Sequence, residues 1–134
     1  MIYIKTDRAS EIKGMLCNCS ECIDSSDYFK NLQKLGKNLK LDKKFNSILA
    51  FLNALGNKER LFIINVLIEK ERCVCELEAI LDKSQPSISH HLRELERADL
   101  IRGWKKGKFT YYTLLKENLE KNLEILNQEF NIDY

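Results

Sequence analysis

A chain of 134 residues can build one domain around one hydrophobic core, and with 44% apolar and 31% charged residues it is not disordered throughout. Residues 1–13 carry Lys5, Asp7, Arg8, Glu11 and Lys13 where a secretory leader has its apolar run. Nowhere do the roughly 18 consecutive apolar residues of a membrane span occur, so a cytoplasmic protein with no membrane partner is expected.

The net charge is only +2, but it is unevenly spread. Residues 83–108 hold seven basic and three acidic side chains, while residues 114–134 hold two and five. One basic face on a near-neutral chain suits a polyanionic partner.

Residues 1–26 show little periodicity and read as an arm, with a domain over 27–134. Asp27 is placed to cap a helix whose Tyr28, Leu32, Leu35 and Leu39 fall on one stripe. Phe45, Ile48, Leu49, Leu52 and Leu55 repeat that signal, and Gly56-Asn57 breaks it. Residues 58–69 form a third helix, apolar nearly all round through Leu61, Phe62, Ile64, Val66 and Ile68. Such a helix is expected at the centre of its domain. After the charged connection 69–72, residues 75–81 form a short helix with Leu77, Ile80 and Leu81 inward. Asp82-Lys83 turns the chain and Ser84 is an N-cap for the next helix. Pro86 stands in its first turn, where the missing N–H costs nothing, and Ile88, Leu92 and Leu95 share its inner face. Beyond Asp99 the period changes. Leu100-Ile101 and residues 109–112, around a glycine-containing turn over 104–108, predict a β-hairpin. Leu115, Leu119, Leu123, Leu126 and Phe130 make a last amphipathic helix over 115–130.

Two short helices joined by a turn, here over 75–98, make a helix-turn-helix. The second helix of this motif presents its N-terminal part to base edges in the major groove. With Ile88, Leu92 and Leu95 inward, Ser84, Gln85, Ser87, Ser89, His90 and Arg93 remain outside, and all can bond bases or phosphates. The hairpin over 100–113 carries Lys105, Lys106 and Lys108 at its tip, where a wing crosses phosphates. The fold class expected is therefore mainly α with a small β-hairpin wing, a winged helix-turn-helix.

Over residues 54–114 the runs Ala-Leu-Gly-Asn-Lys-Glu-Arg-Leu, Cys-Val-Cys-Glu-Leu, Ser-Gln-Pro-Ser-Ile-Ser-His-His-Leu and Gly-Lys-Phe-Thr-Tyr-Tyr-Thr-Leu resemble the ArsR/SmtB family of metal-responsive repressors. The resemblance implies a homodimeric repressor of metal-resistance operons. Gln85, Ser87, Ser89 and His90 then face a double-stranded operator, and the stripes Leu32/Leu35/Leu39 and Leu119/Leu123/Leu126 form dimer contacts. A two-fold dimer reads a palindrome with half-sites about 34 Å apart.

Five cysteines, Cys17, Cys19, Cys22, Cys73 and Cys75, are an odd number in a reducing compartment, which favours metal or redox chemistry over a disulfide framework. Residues two apart in a regular helix point about 200° from each other. Cys73 and Cys75 can share a ligand only if the helix begins between them, and a helix N-terminus there favours thiolate. Thiolates select soft ions, and zinc and its heavier relatives take about four ligands. Cys17, Cys19 and Cys22 can supply the rest.

Within the family, the arsenic branch places a third cysteine three residues after the pair, where this chain has Glu78. The branch that binds metal on its last helix uses Asp and His, and residues 114–134 contain no histidine. The pattern resembles more the cadmium/lead branch, in which arm cysteines of the partner subunit join the pair. The expected effector is a soft divalent ion (Cd, Pb or Zn) that releases the operator. The alternative is a repressor whose cysteines sense redox state or trivalent arsenic. No phosphate loop, nucleophile elbow or paired carboxylates suggests an enzyme.

Overall fold

The computed structural model describes residues 7–16 and 25–131. In chain order they form α1 (Arg8–Leu16), α2 (Ser25–Leu41), α3 (Lys44–Leu55), α4 (Lys58–Glu69), β1 (Arg72–Cys73), α5 (Val74–Leu81), α6 (Gln85–Arg97), β2 (Ile101–Lys106), β3 (Phe109–Leu114) and α7 (Lys116–Phe130). These elements belong to two compact units, one ending at Phe45 and one beginning at Asn46. The fold is mostly helical with one small antiparallel sheet, as a winged helix-turn-helix requires. Among the described residues no helix is long and apolar enough to cross a membrane.

In the first unit α1 packs on α2. Helix α1 lies where the sequence shows no apolar stripe, because polar groups start it. The Asp7 carboxylate accepts from the Ala9 N–H at 3.1 Å and from the Ser10 hydroxyl at 3.2 Å, and Arg8 pairs with Glu11 at 2.9 Å. Helix α2 starts at Ser25, so Asp27 sits in its first turn instead of capping it. There its carboxylate still complements the helix dipole. Phe29 is buried beneath the Lys13 ammonium, 5.1 Å from the ring centroid, while Leu32, Leu35 and Leu39 are exposed.

The second unit is built on one core of Phe51, Ala54, Ile63, Ile64, Leu67, Leu77, Ile88, Leu92, Leu95, Leu100 and Ile101. Each such side chain, once buried, contributes about 1.5–3 kcal/mol of transfer free energy for the larger aliphatics. Helix α4 begins at an Asn57 cap whose Oδ1 accepts from the Arg60 N–H at 3.1 Å. It is not enclosed on all sides. It packs against α5, α6 and β3 through Ile63, Ile64 and Leu67, and leaves Leu61, Phe62 and Ile68 exposed. Its apolar circumference therefore serves the core on one side only. On α5, Leu77 is fully buried but Ile80, expected inward, is exposed, since a two-turn helix buries only the i, i+4 line through Leu77 and Leu81. On α7, Leu119 and Leu126 pack on the chain's own core, and of the expected interface stripe only Leu123 is exposed.

The sheet has strand order β1-β3-β2. The hairpin turn is tighter than 104–108: Trp104, Lys105 and Lys106 lie in β2, and Lys106 pairs with Phe109. Gly107 has φ +62°, the backbone required at the first position of a type II′ turn. Gly103 faces Tyr112 across the ladder, and a Cβ there would stand 3.0 Å from the Tyr112 ring. The two-residue strand β1 is an addition that the charged connection concealed. It pairs Arg72 with Tyr112 and Cys73 with Tyr111.

Helix α6 is held by His91 as well as by its aliphatic face. Arg60 donates through Nε to the Ala54 carbonyl at 2.6 Å and through its terminal nitrogens to the Asn53 carbonyl at 3.1 Å and to His91 Nδ1 at 3.3 Å. Burial, and then the Arg60 charge, lower the His91 pKa. The native imidazole is therefore neutral where an unfolded one has begun to bind a proton. Below the ordinary value of about 6.5 the unfolded chain holds more protons, so stability is full above that pH and declines as pH falls through it toward the lowered native value. The urea midpoint should drop between pH 7.5 and pH 5.5, and the His91→Gln variant should show a shallower drop. Parallel slopes for the two proteins would refute the assignment to His91.

Candidate nucleic-acid interface and thiol pair

The N-terminus of α6 is fixed by Ser84, whose hydroxyl oxygen accepts from the Ser87 N–H at 3.4 Å. Ile88, His91, Leu92 and Leu95 turn inward. Ser84, Gln85, His90 and Arg93 are exposed, while Ser87 and Ser89 are half-buried. All six sequence-predicted positions therefore lie off the buried face. Lys105, Lys106 and Lys108 are exposed around the hairpin turn. Lys83 is engaged by Glu59 at 3.8 Å and Arg97 by Glu94 at 2.7 Å. Among the described residues no ion pair engages Arg93, Lys105, Lys106 or Lys108, so within residues 83–108 the basic groups outside ion pairs lie on α6 and the hairpin.

The hairpin is fastened to the residue just before β1 by a hydrogen-bond chain that the sequence did not suggest. Trp104 Nε1 donates to Thr113 Oγ1 at 2.9 Å, and that hydroxyl donates to Glu71 Oε1 at 3.0 Å. Trp104 also stacks on Tyr111 with ring centroids 5.0 Å apart. The signal available beforehand was the pairing of Trp104 with a tyrosine two residues before a threonine on the facing strand.

Cys73 closes β1 and is the N-cap of α5, with φ −82° and ψ 163°. Its N–H donates to Glu76 Oε1 at 3.0 Å, the backbone half of a capping box. That hydrogen bond lowers the Glu76 pKa. Arg72, only 13% exposed, reinforces the junction through Glu69 at 3.2 Å, Glu76 at 3.8 Å and the Val66 carbonyl at 3.3 Å. With Cys73 extended and Cys75 in the first turn, the two sulfurs meet at 2.7 Å. Both are free thiols, Cys73 buried and Cys75 exposed. The contact with Cys75, followed by burial, raises the Cys73 pKa. Cys17, Cys19 and Cys22 lie outside the described residues. Among the described residues no group of three or more His, Cys, Asp or Glu side chains could hold a metal ion. Two thiols alone are fewer than the about four ligands that a zinc-like ion takes.

A two-helix motif followed by a basic hairpin defines a winged helix-turn-helix regulator. Residues 57–102 match the family described as bacterial regulatory protein, arsR family. HlyU of Vibrio cholerae, a transcriptional activator by name, is 32% identical over 98 residues, covering 73% of this chain and 85% of that protein. The solved structure of reduced HlyU superposes with a TM-score of 0.56 at 30% identity, covering 68% of this chain and 96% of that one. The cadmium resistance regulator CadC of Listeria innocua is 37% identical over 82 residues, and the arsenical resistance operon repressor of Escherichia coli is 44% identical over 61 residues. The first match covers 60% of this chain and 64% of the cadmium regulator, the second 45% and 52%. The chain thus spans less than two thirds of the length of either metal-resistance relative. The chain belongs to the arsR family of bacterial regulatory proteins. The cadmium branch does not stand out from the others, contrary to the sequence reading.

Reduced protein treated briefly with an alkylating reagent should carry the label on Cys75 well before Cys73, as read by peptide mass mapping. Equal labelling of both thiols would contradict the buried position of Cys73.

Proposed function

We propose that this chain is a cytoplasmic, homodimeric transcriptional repressor whose hold on double-stranded operator DNA is set by the Cys73–Cys75 dithiol. The sulfur pair at 2.7 Å, standing where the helix-turn-helix begins, carries this reading. Closure of a dithiol needs two sulfurs and no further ligand. Oxidation to a disulfide, with a peroxide reduced to water or alcohol, meets that condition. So does ligation of trivalent arsenic, with loss of water. Either event ties Cys73, in the sheet, to Cys75, in α5. Similarity to an arsenical resistance repressor supports the arsenic version, and similarity to a protein solved in a reduced form supports the redox version.

Operator contact is assigned to Ser84, Gln85, Ser87, Ser89, His90 and Arg93 on α6 and to Lys105, Lys106 and Lys108 at the wing. The domain 27–134, with its helix-turn-helix over 75–98, wing over 100–113 and dimerisation helix over 115–130, is the reading and pairing part. The arm 1–26 carries the remaining thiols. Exposed Leu32, Leu35 and Leu39 on α2 and Leu123 and Phe130 on α7 support a second copy as partner.

A second reading keeps the DNA function and makes the signal a soft divalent ion, Cd, Pb or Zn, completed by Cys17, Cys19 or Cys22. Similarity to the cadmium regulator favours it.

Reduced protein, titrated onto its own upstream DNA in a mobility-shift assay, separates the two. Under the dithiol reading, mild peroxide or arsenite weakens binding roughly 5–150-fold, the usual span of such coupling, and Cys73→Ser abolishes the response while Cys19→Ser keeps it. A response to cadmium alone, lost in both variants, would establish the metal reading instead. In the same assay Lys106→Ala should lower the salt dependence by about one released counterion, and an unchanged slope would remove that lysine from the interface.

A further inference from the structure

Both thiols open on one cleft of about 260 Å³, and the far wall of that cleft is the DNA-reading surface itself. Its lining includes Cys75, Glu78, Gln85, Lys108, Phe109 and Thr110. Gln85 is the first residue of α6, and Lys108 and Phe109 close the hairpin turn. Within the cleft the thiols are unequal. Cys73 is 6% exposed whereas Cys75 is exposed, so a reagent entering from solvent meets Cys75 first. The cleft also carries opposite charges. Glu78 is half-buried and forms no ion pair or side-chain hydrogen bond among the described residues. The Lys108 ammonium stands over the Phe109 ring at 5.6 Å.

We infer that the cleft is a site for a small zwitterionic thiol, carried as a mixed disulfide on Cys75, its ammonium toward Glu78 and its carboxylate toward Lys108. The inference rests on reading the pair as the sensor. The co-reactant is a low-molecular-weight disulfide of an amino-acid thiol. The Cys75 thiolate attacks one of its sulfurs, the new S–S bond joins Cys75 to one half, and the other half leaves as thiolate. Cys73 then attacks the Cys75 sulfur, forms the Cys73–Cys75 disulfide and releases the second half as thiol. Two protein thiols are oxidised and one small disulfide is reduced to two thiols. The leaving thiol's acidity and the access of the attacked sulfur set the rates.

While the adduct is present it fills the space beside Gln85 and neutralises Lys108, two groups assigned to the operator. Occupancy alone therefore opposes DNA binding, before any helix moves. A cap without bulk or charge on the same sulfur leaves the cleft open.

The test uses the full chain with Cys73→Ser, which removes the resolving thiol and traps the adduct. After reaction with cystine, peptide mapping should find cysteinylation on Cys75, and operator affinity should fall roughly tenfold or more. Methylthiolation of Cys75 by a methyl thiosulfonate, with sulfinate as the leaving group, should lower affinity less than threefold, a difference of about 0.7 kcal/mol or more from the cysteinyl adduct. Glu78→Gln should slow cysteinylation and leave methylthiolation unchanged. Equal loss of affinity with both caps, no loss with the cysteinyl cap, or an indifferent Glu78→Gln would overturn the inference. Wild-type protein whose DNA affinity ignores peroxide and arsenite would defeat the sensor reading, while the cystine selectivity of Cys75 in the variant would still report on the cleft.

Discussion

The backbone leaves the helical path at Cys73, and the placement of everything around it follows from that residue. Extended at Cys73 and helical from Val74, the chain brings residues 73 and 75 to one side, whereas a continuous helix would set them about 200° apart. The break is stabilised from both directions. Pairing of Cys73 with Tyr111 holds it in the sheet, and Glu76 accepts the N–H that would otherwise be an orphan at the helix start. Arg72 binds the carboxylates on either side and the end of α4. The thiol contact is thus a product of backbone geometry, set by groups that are not thiols.

The same economy places the polar face of α6. Ser84 fixes where α6 begins and its buried residues fix its rotation. His91 does so with an imidazole that must stay neutral, since burial disfavours its charge and Arg60 already occupies Nδ1. With Ile88, His91, Leu92 and Leu95 committed inward, the polar residues of the first two turns have no other side to occupy. The wing is set by the strand it shares. Strand β3 pairs with β2 on one edge and with β1 on the other, so Cys73, Tyr111 and Trp104 form one row across the sheet.

Much of this was legible because it repeats at helical or hairpin spacing. The limits of α4, the inner face of α6 through Ile88, Leu92 and Leu95, the Ser84 cap and the two strands of the hairpin all follow from periodicity and turn chemistry. What escaped was set by single polar groups or by long-range pairing. Asp7 starts α1 without an apolar stripe. Glu76 caps a helix whose N-cap is a cysteine, a residue outside the usual capping set. Strand β1 is two residues long within a charged run, and only its distant partner Tyr111 identifies it. The exposure of Leu61, Phe62, Ile68 and Ile80 escaped for a different reason. Apolar composition states that a face can be buried, and the number of neighbouring elements decides whether it is. For the site, the spacing of Cys73 and Cys75 indicated where a helix had to begin, but the cleft that joins them to Gln85 and Lys108 depends on the fold of the hairpin back toward α5.

The two thiols differ in how firmly they are held, and under the proposed dithiol mechanism this decides what closure of the pair can move. Cys73 is tied by its strand pairing, its N–H bond to Glu76 and its burial. Cys75 is tied only by its place in the first turn of an eight-residue helix. Any chemistry that changes the distance between the sulfurs therefore displaces the start of α5 more readily than the sheet. Helix α5 has little freedom to absorb that displacement internally. Leu77 anchors it in the core, Asp82 ends it in a left-handed turn at φ 50°, and Lys83 binds that turn to Glu59 of α4. Under the proposed mechanism, a shift at Cys75 would pass along two turns of helix to Ser84, the residue that sets where α6 begins. The shortness of α5, which leaves Ile80 outside the core, also makes it a stiff link between the thiol and α6.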